Sequence, residues 1–125
     1  MTIEHRRDGD VAIVRASGRY EVAELRAALE AAVSLFGPTG AAALLFDLSE
    51  SQALGDRPTE DVRAMAYFIA SHGDRFGRRL AMVTGSEVAY GLMRLGATVA
   101  ESQGISARVF RDHESAMAWL TLGSQ

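Results

Sequence analysis

Apolar positions along this chain change their period at regular intervals, and the changes mark its elements. TIEHRRDGDVAIVRASG predicts two short strands around Asp8-Gly9, a pair that tolerates the positive φ of a two-residue hairpin turn. Val11 and Ile13 alternate with Ala12 and Val14, so both faces of the second strand are expected to be covered. EVAELRAALEAAVSLF then places Val22, Leu25, Leu29, Val33 and Phe36 on one helical stripe, with Glu21, Glu24, Arg26 and Glu30 around it. Gly37-Pro38 stops the helix, because proline cannot continue it.

AAALLFDL is a continuous apolar run, the mark of a parallel strand covered on both faces. A second helix is expected from Thr59, a residue type that caps free N–H groups, to about His72. Glu60 and Asp61 suit its positive end, and Gly73 closes it. RRLAMVTG predicts a strand, SEVAYGLMRLGATVAESQG a third helix capped by Ser86, ISARVF a last strand, and DHESAMAWL a closing helix capped by Asp112. The order is β-β-α-β-α-β-α-β-α. It implies an α/β fold, a mostly parallel sheet with an N-terminal β-hairpin and four helices, in one domain over residues 1–125.

Composition narrows the function classes. The 125 residues are 48% hydrophobic and 23% charged, an ordinary globular balance. A net charge of −3 supplies no basic field, so no nucleic-acid partner is expected. Cysteine is absent, which removes disulfides, thiol nucleophiles and thiolate zinc sites and fits a reducing compartment. The start, MTIEHRRDGD, lacks a signal peptide's apolar core, and no apolar run is long enough for stable membrane insertion. The expectation is a cytoplasmic protein.

EHRRDGDVAIVRASGRY at the front, LLFDLSE in the middle, RRLAMVTG later and VFRDHESAMAWL at the end resemble the STAS domains of bacterial anti-sigma-factor antagonists. The resemblance is nearer to the SpoIIAA-like branch, which is often described together with SEC14-type lipid-binding domains. It covers nearly the whole chain and implies a SpoIIAA-like regulatory or binding module without a cofactor. In the antagonists, the strand ending Asp-Leu-Ser is followed by Asp-Ser-Ser-Gly, whose serine at the next helix start is phosphorylated. Laid on this chain without a gap, that motif falls on Gly55, Asp56, Arg57 and Pro58, so both serines are missing. Asp56 stands where one of them would receive an anion. Asp47, Ser49, Ser51, Asp56 and Thr59 therefore mark the family's phosphoserine region here, with Ser49, Ser51 and Thr59 as nearby hydroxyls. Each hydroxyl also has a structural use, satisfying backbone groups of the loop and the helix start.

Catalytic constellations are weak. Asp47 ends a buried strand at the edge where ligands gather in open α/β sheets, with Glu50, Asp56 and His113 as loose partners and no fixed spacing. The plainer expectation is that Asp47 accepts hydrogen bonds from neighbouring loop N–H groups. His5, His72 and His113 stand apart, with no His-x-x-x-His pair, so no metal site is expected. No Gly-x-Ser-x-Gly or P-loop sequence occurs. Arg75, Arg78 and Arg79 share the GDRFGRR loop with Phe76, and water is the ordinary place for such cations.

The more informative anomaly is an apolar surplus. In the second helix Val62, Met65, Ala66 and Ile69 form a stripe, while Tyr67 and Phe68 fall outside its centre. In the third, Val88, Leu92, Leu95 and Val99 form the expected core stripe, and Tyr90 and Met93 project elsewhere. Met65, Tyr67, Phe68, Tyr90 and Met93 are thus the expected ligand or partner face. They would seat a second copy in a homodimer, a protein partner, or a small apolar or lipid-like ligand. The sequence reading is a non-catalytic STAS-type module acting through that face, with a SEC14-like carrier as its alternative.

Overall fold

The computed structural model describes residues 2–18, 21–51 and 59–122. Its elements follow the expected order: β1 (Thr2–Asp8), β2 (Val11–Gly18), α1 (Val22–Ser34), β3 (Ala43–Ser51), α2 (Thr59–Ser71), β4 (Arg79–Val83), α3 (Glu87–Ser102), β5 (Ser106–Phe110) and α4 (His113–Leu122). β1 and β2 form the antiparallel hairpin, with Asp8 opposite Val11 and Gly9 at φ +59°. The remaining pairs are parallel, and the sheet runs β1-β2-β3-β4-β5 without reversal.

That unreversed order decides where the helices lie. Successive right-handed crossovers stepping in one direction carry their helices to one face of the sheet. Ala12, Val14, Leu44, Phe46, Leu80 and Met82 accordingly pack under α1, α2 and α3. Val11, Ile13, Leu45, Ala81 and Val83 point the other way, where α4 covers them with Ala116 and Leu120. Burial on both faces explains the unbroken apolar run of β3, in which every residue from Ala43 to Leu48 is buried. An unreversed sheet also has no switch-point crevice of the kind that holds nucleotides in doubly wound folds.

Several local expectations hold. The amide of Ala89 donates to Ser86 Oγ at 3.0 Å, and that of Ser115 to Asp112 Oδ1 at 2.7 Å, so both helices are capped by those side chains. α1 ends earlier than its stripe predicts, at Ser34, and Phe36 lies in the turn beyond it. α2 ends at Ser71 rather than at His72. Gly77, before β4, sits at φ +62° with its α-carbon so close to Ala42 that a Cβ would stand 2.5 Å from that carbonyl oxygen.

Candidate functional site

Among the described residues two polar side chains are buried, Asp47 and Thr84, and the charged one lies toward the C-terminal edge of β3. β2 and β3 slip register there: Arg15 pairs with Asp47, yet Ser17 pairs with Glu50, so β3 holds one extra residue. Such a bulge bends the strand and re-aims its side chains. Asp47 stays on the α4 side of the sheet and is 3% exposed. The bulge brings Ser49 back onto it: the Ser49 amide donates to Asp47 Oδ1 at 3.0 Å and its hydroxyl at 2.6 Å. The other carboxylate oxygen accepts from His113 Nδ1, in the first turn of α4, at 3.0 Å. A carboxylate only accepts, so Nδ1 carries the hydrogen. Burial pushes the Asp47 carboxyl up, but the Ser49 and His113 hydrogen bonds outweigh it and hold the group below the ordinary carboxylate range.

This trio has the residue types of a hydrolytic triad in the wrong sequence of contacts. A nucleophilic serine needs the imidazole between itself and the carboxylate. Here the carboxylate lies in the middle, and the Ser49 proton is committed to it. Among the described residues His113 Nε2 makes no hydrogen bond. What the arrangement does is tie the end of β3 to the start of α4. The expectation that Asp47 accepts from its loop holds, and the pairing with His113 adds a contact across 66 residues.

Of the other residues in that region, Ser51 closes β3, Thr59 is the exposed first residue of α2, and Asp56 lies outside the described residues. The arginine loop is bound into the fold. Arg75 donates to the Gly37 carbonyl at 2.9 Å, Arg78 pairs with Asp74, and Arg79 donates to the Trp119 carbonyl with its guanidinium 4.5 Å from the indole centroid. Phe76 is fully buried. Among the described residues no group of three or more His, Cys, Asp or Glu side chains is arranged to hold a metal ion.

The five residues expected to form one apolar face are distributed over four surroundings. Met93 is core, 4% exposed, and joins half-buried Met65 in lining an apolar cavity of about 70 Å³ between α2, α3 and the sheet. Phe68 is half-buried, 4.7 Å from the His72 ring and 5.0 Å from the Arg26 guanidinium of α1. Tyr90 lies toward β5, half-buried with Arg111 4.4 Å over its ring. Tyr67 alone of the five is exposed, at 52%.

The expected core stripe of α3 is corrected as well. Val99 is buried as expected, but Val88 is 66% exposed and Leu92 and Leu95 are only half-buried, whereas Ala89, Met93, Gly96, Ala97 and Ala100 face inward. The helix is rotated by about one residue, ~100°, from the phase its bulky side chains suggest. The cause is close packing: a Cβ on Gly96 would lie 3.6 Å from Val62 and 4.0 Å from Ala66, so small residues line the α2–α3 contact. The alanines and glycine of α3 were the available signal, and hydrophobicity weights them too lightly to reveal it.

A family model described as SpoIIAA-like matches residues 11–121. Among solved structures, an uncharacterized protein of the DUF3478 family from Shewanella loihica PV-4, with a SpoIIAA-like fold, superposes with a TM-score of 0.60. It is 19% identical, over 95% of this chain and 92% of that one. No curated protein matches. Among the described residues no helix is long and apolar enough to cross a membrane.

Proposed function

This chain belongs to the SpoIIAA-like family, and from that premise we propose that it is a non-catalytic binding module whose outer α2–α3 surface seats a partner protein. The carrying observation is where large apolar side chains meet solvent. Of the three exposed among the described residues, Tyr67 lies on α2 and Val88 on α3, and half-buried Leu92 and Leu95 continue the apolar stripe of Val88. Tyrosine and aliphatic side chains give an interface large contact area at low conformational cost. The contact order at Asp47 supports a non-catalytic reading, since its serine is held by the carboxylate rather than by a base. The test is co-isolation from the native cell of wild-type protein and of a Tyr67→Asp/Val88→Asp variant. A stoichiometric partner present with the first and lost with the second is expected. Equal recovery with both would remove the helices from the interface.

A second reading rests on the cavity lined by Met65 and Met93: a small apolar ligand bound between helices and sheet. Its volume of about 70 Å³ is roughly half that of a cavity known to accept benzene, ~150 Å³. A lipid chain would therefore require α2 to move outward, and only a few-atom apolar molecule fits the observed shape. Mass spectrometry of the freshly purified protein, native and then denatured, tests this. A non-covalent adduct lost on denaturation supports the reading, and a bare chain opposes it.

A further inference from the structure

β5 is an edge of the sheet, and its backbone is half used. The Ser106 amide donates toward β4, to the Arg78 carbonyl at 2.8 Å, and the Phe110 carbonyl accepts from Thr84 at 3.1 Å. The N–H and C=O of one strand residue lie on the same side, and the side alternates along the strand. Ser106, Arg108 and Phe110 therefore address β4, while Ala107 and Val109 present their N–H and C=O groups outward. Among the described residues β5 has no strand on that side. A groove of about 510 Å³ runs along this edge, walled by Tyr90, Arg94, Thr98 and Glu101 of α3 and by Trp119 of α4.

Charge selects what can fill it. The groove is lined by Arg94 and Glu101 on the α3 side and by Arg108 on the α4 side, and among the described residues neither guanidinium has an ion-pair partner. A second copy fits poorly. The antiparallel register that uses both outward residues pairs Ala107 with the other chain's Val109 and sets Arg108 against its own equivalent, a like-charge pair. The opposite edge, β1, sets Glu4 and Asp8 against Arg6 and Arg7, so β1 of another copy brings no net acidic charge to Arg108. Arg94 and Arg108, which line the β5 groove, favour an acidic strand.

We propose that the β5 edge accepts an extended acidic segment of a partner protein as a sixth strand. Main-chain bonds to Ala107 and Val109 supply the attachment, and side chains supply the choice. The segment's residue beside Arg108 lies on the α4 face and is Asp or Glu. Its neighbours on the α3 face are small and apolar and cover half-buried Ala107, since the Val109 side chain already lies in the core. This surface is separate from the outer α2–α3 face, so either can stand without the other.

The probe is an end-capped peptide, Val-Glu-Val-Glu-Val, added to the isotope-labelled protein and followed by amide NMR. Perturbations are expected at Ala107, Val109 and the facing turn of α3, with affinity falling as salt is raised. N-methylation of the peptide amides that face β5, or Arg108→Glu, should weaken binding by about tenfold or more. A Val-Lys-Val-Lys-Val peptide should bind Arg108→Glu better than it binds wild type. Arg108→Ala removes the same charge more mildly and should also weaken binding of the acidic peptide, should Arg108→Glu not fold. No perturbation at Ala107 and Val109 would overturn the proposal. So would equal binding of the N-methylated peptide, which would mean general attraction of an anion to the arginines.

Discussion

The distinction between core and face on α2 and α3 has a direct energetic test in Met93→Ala against Tyr67→Ala. Met93 is 4% exposed and borders the apolar cavity. Removing its thioether beyond Cβ forfeits about 2 kcal/mol of transfer free energy, at ~0.8 kcal/mol per methylene-sized group. The site then gains about 60 Å³ of empty space, which adds about 1.5 kcal/mol at ~24 cal/mol per Å³. The sum is about 3–4 kcal/mol, a fall in Tm of roughly 10–15 °C for a chain of this size. Tyr67 is 52% exposed, so its truncation is expected to change stability by no more than about 0.5 kcal/mol. Urea titration followed by circular dichroism measures both, and an unchanged m-value shows that the folded states being compared are equally compact. A loss above about 2 kcal/mol for Tyr67→Ala would place that ring in the core. A loss below about 1 kcal/mol for Met93→Ala would refute the inward phase of α3.

Four further outcomes follow from particular contacts. Gly96→Ala should stabilise by about 1 kcal/mol, because the new Cβ meets Val62 and Ala66 at ordinary contact distance while the helix gains propensity. Gly91→Ala, in open space on the same helix, isolates the propensity part; a destabilised Gly96→Ala would mean that α2 and α3 pack closer than described. Gly77→Ala should cost more than about 1 kcal/mol in the same titration, as the position combines positive φ with a 2.5 Å approach to the Ala42 carbonyl. Asp47 has a folded pKa below its unfolded value, so its contribution to stability is complete above the ordinary carboxylate pKa and is lost as pH falls through the folded one. Asp47→Asn should accordingly flatten the acid limb of the stability–pH curve; an unchanged limb would mean that the Ser49 and His113 contacts do not favour the ionised form.

The fold was legible because its signals are local. The Asp-Gly turn, the doubly apolar β3 and the Ser86 and Asp112 caps each depend on residues a few positions apart, and each reappears where the pattern puts it. The alternation of strands and helices, with right-handed crossovers, then leaves few topologies to consider. The site was less legible. Asp47 stood out as a carboxylate ending an apolar strand, but its partner His113 lies 66 residues away, and only the ordering of β3, β4, β5 and α4 in space brings them together.

The rotation of α3 shows the same division. Sequence alone determined that α2 and α3 carry more apolar side chains than one buried stripe requires. It did not determine which of them face water, because periodicity weighs side chains by hydrophobicity, while two helices approaching closely select for small ones. Gly96 against Val62 and Ala66 turned Met93 inward and left Val88 outside. The edge of β5 was likewise decided by tertiary structure: strand order made it terminal, and α3 and α4 raised the arginine-lined walls beside it. Local pattern fixes an element's type, whereas its neighbours fix its phase, its exposed side and its chemistry.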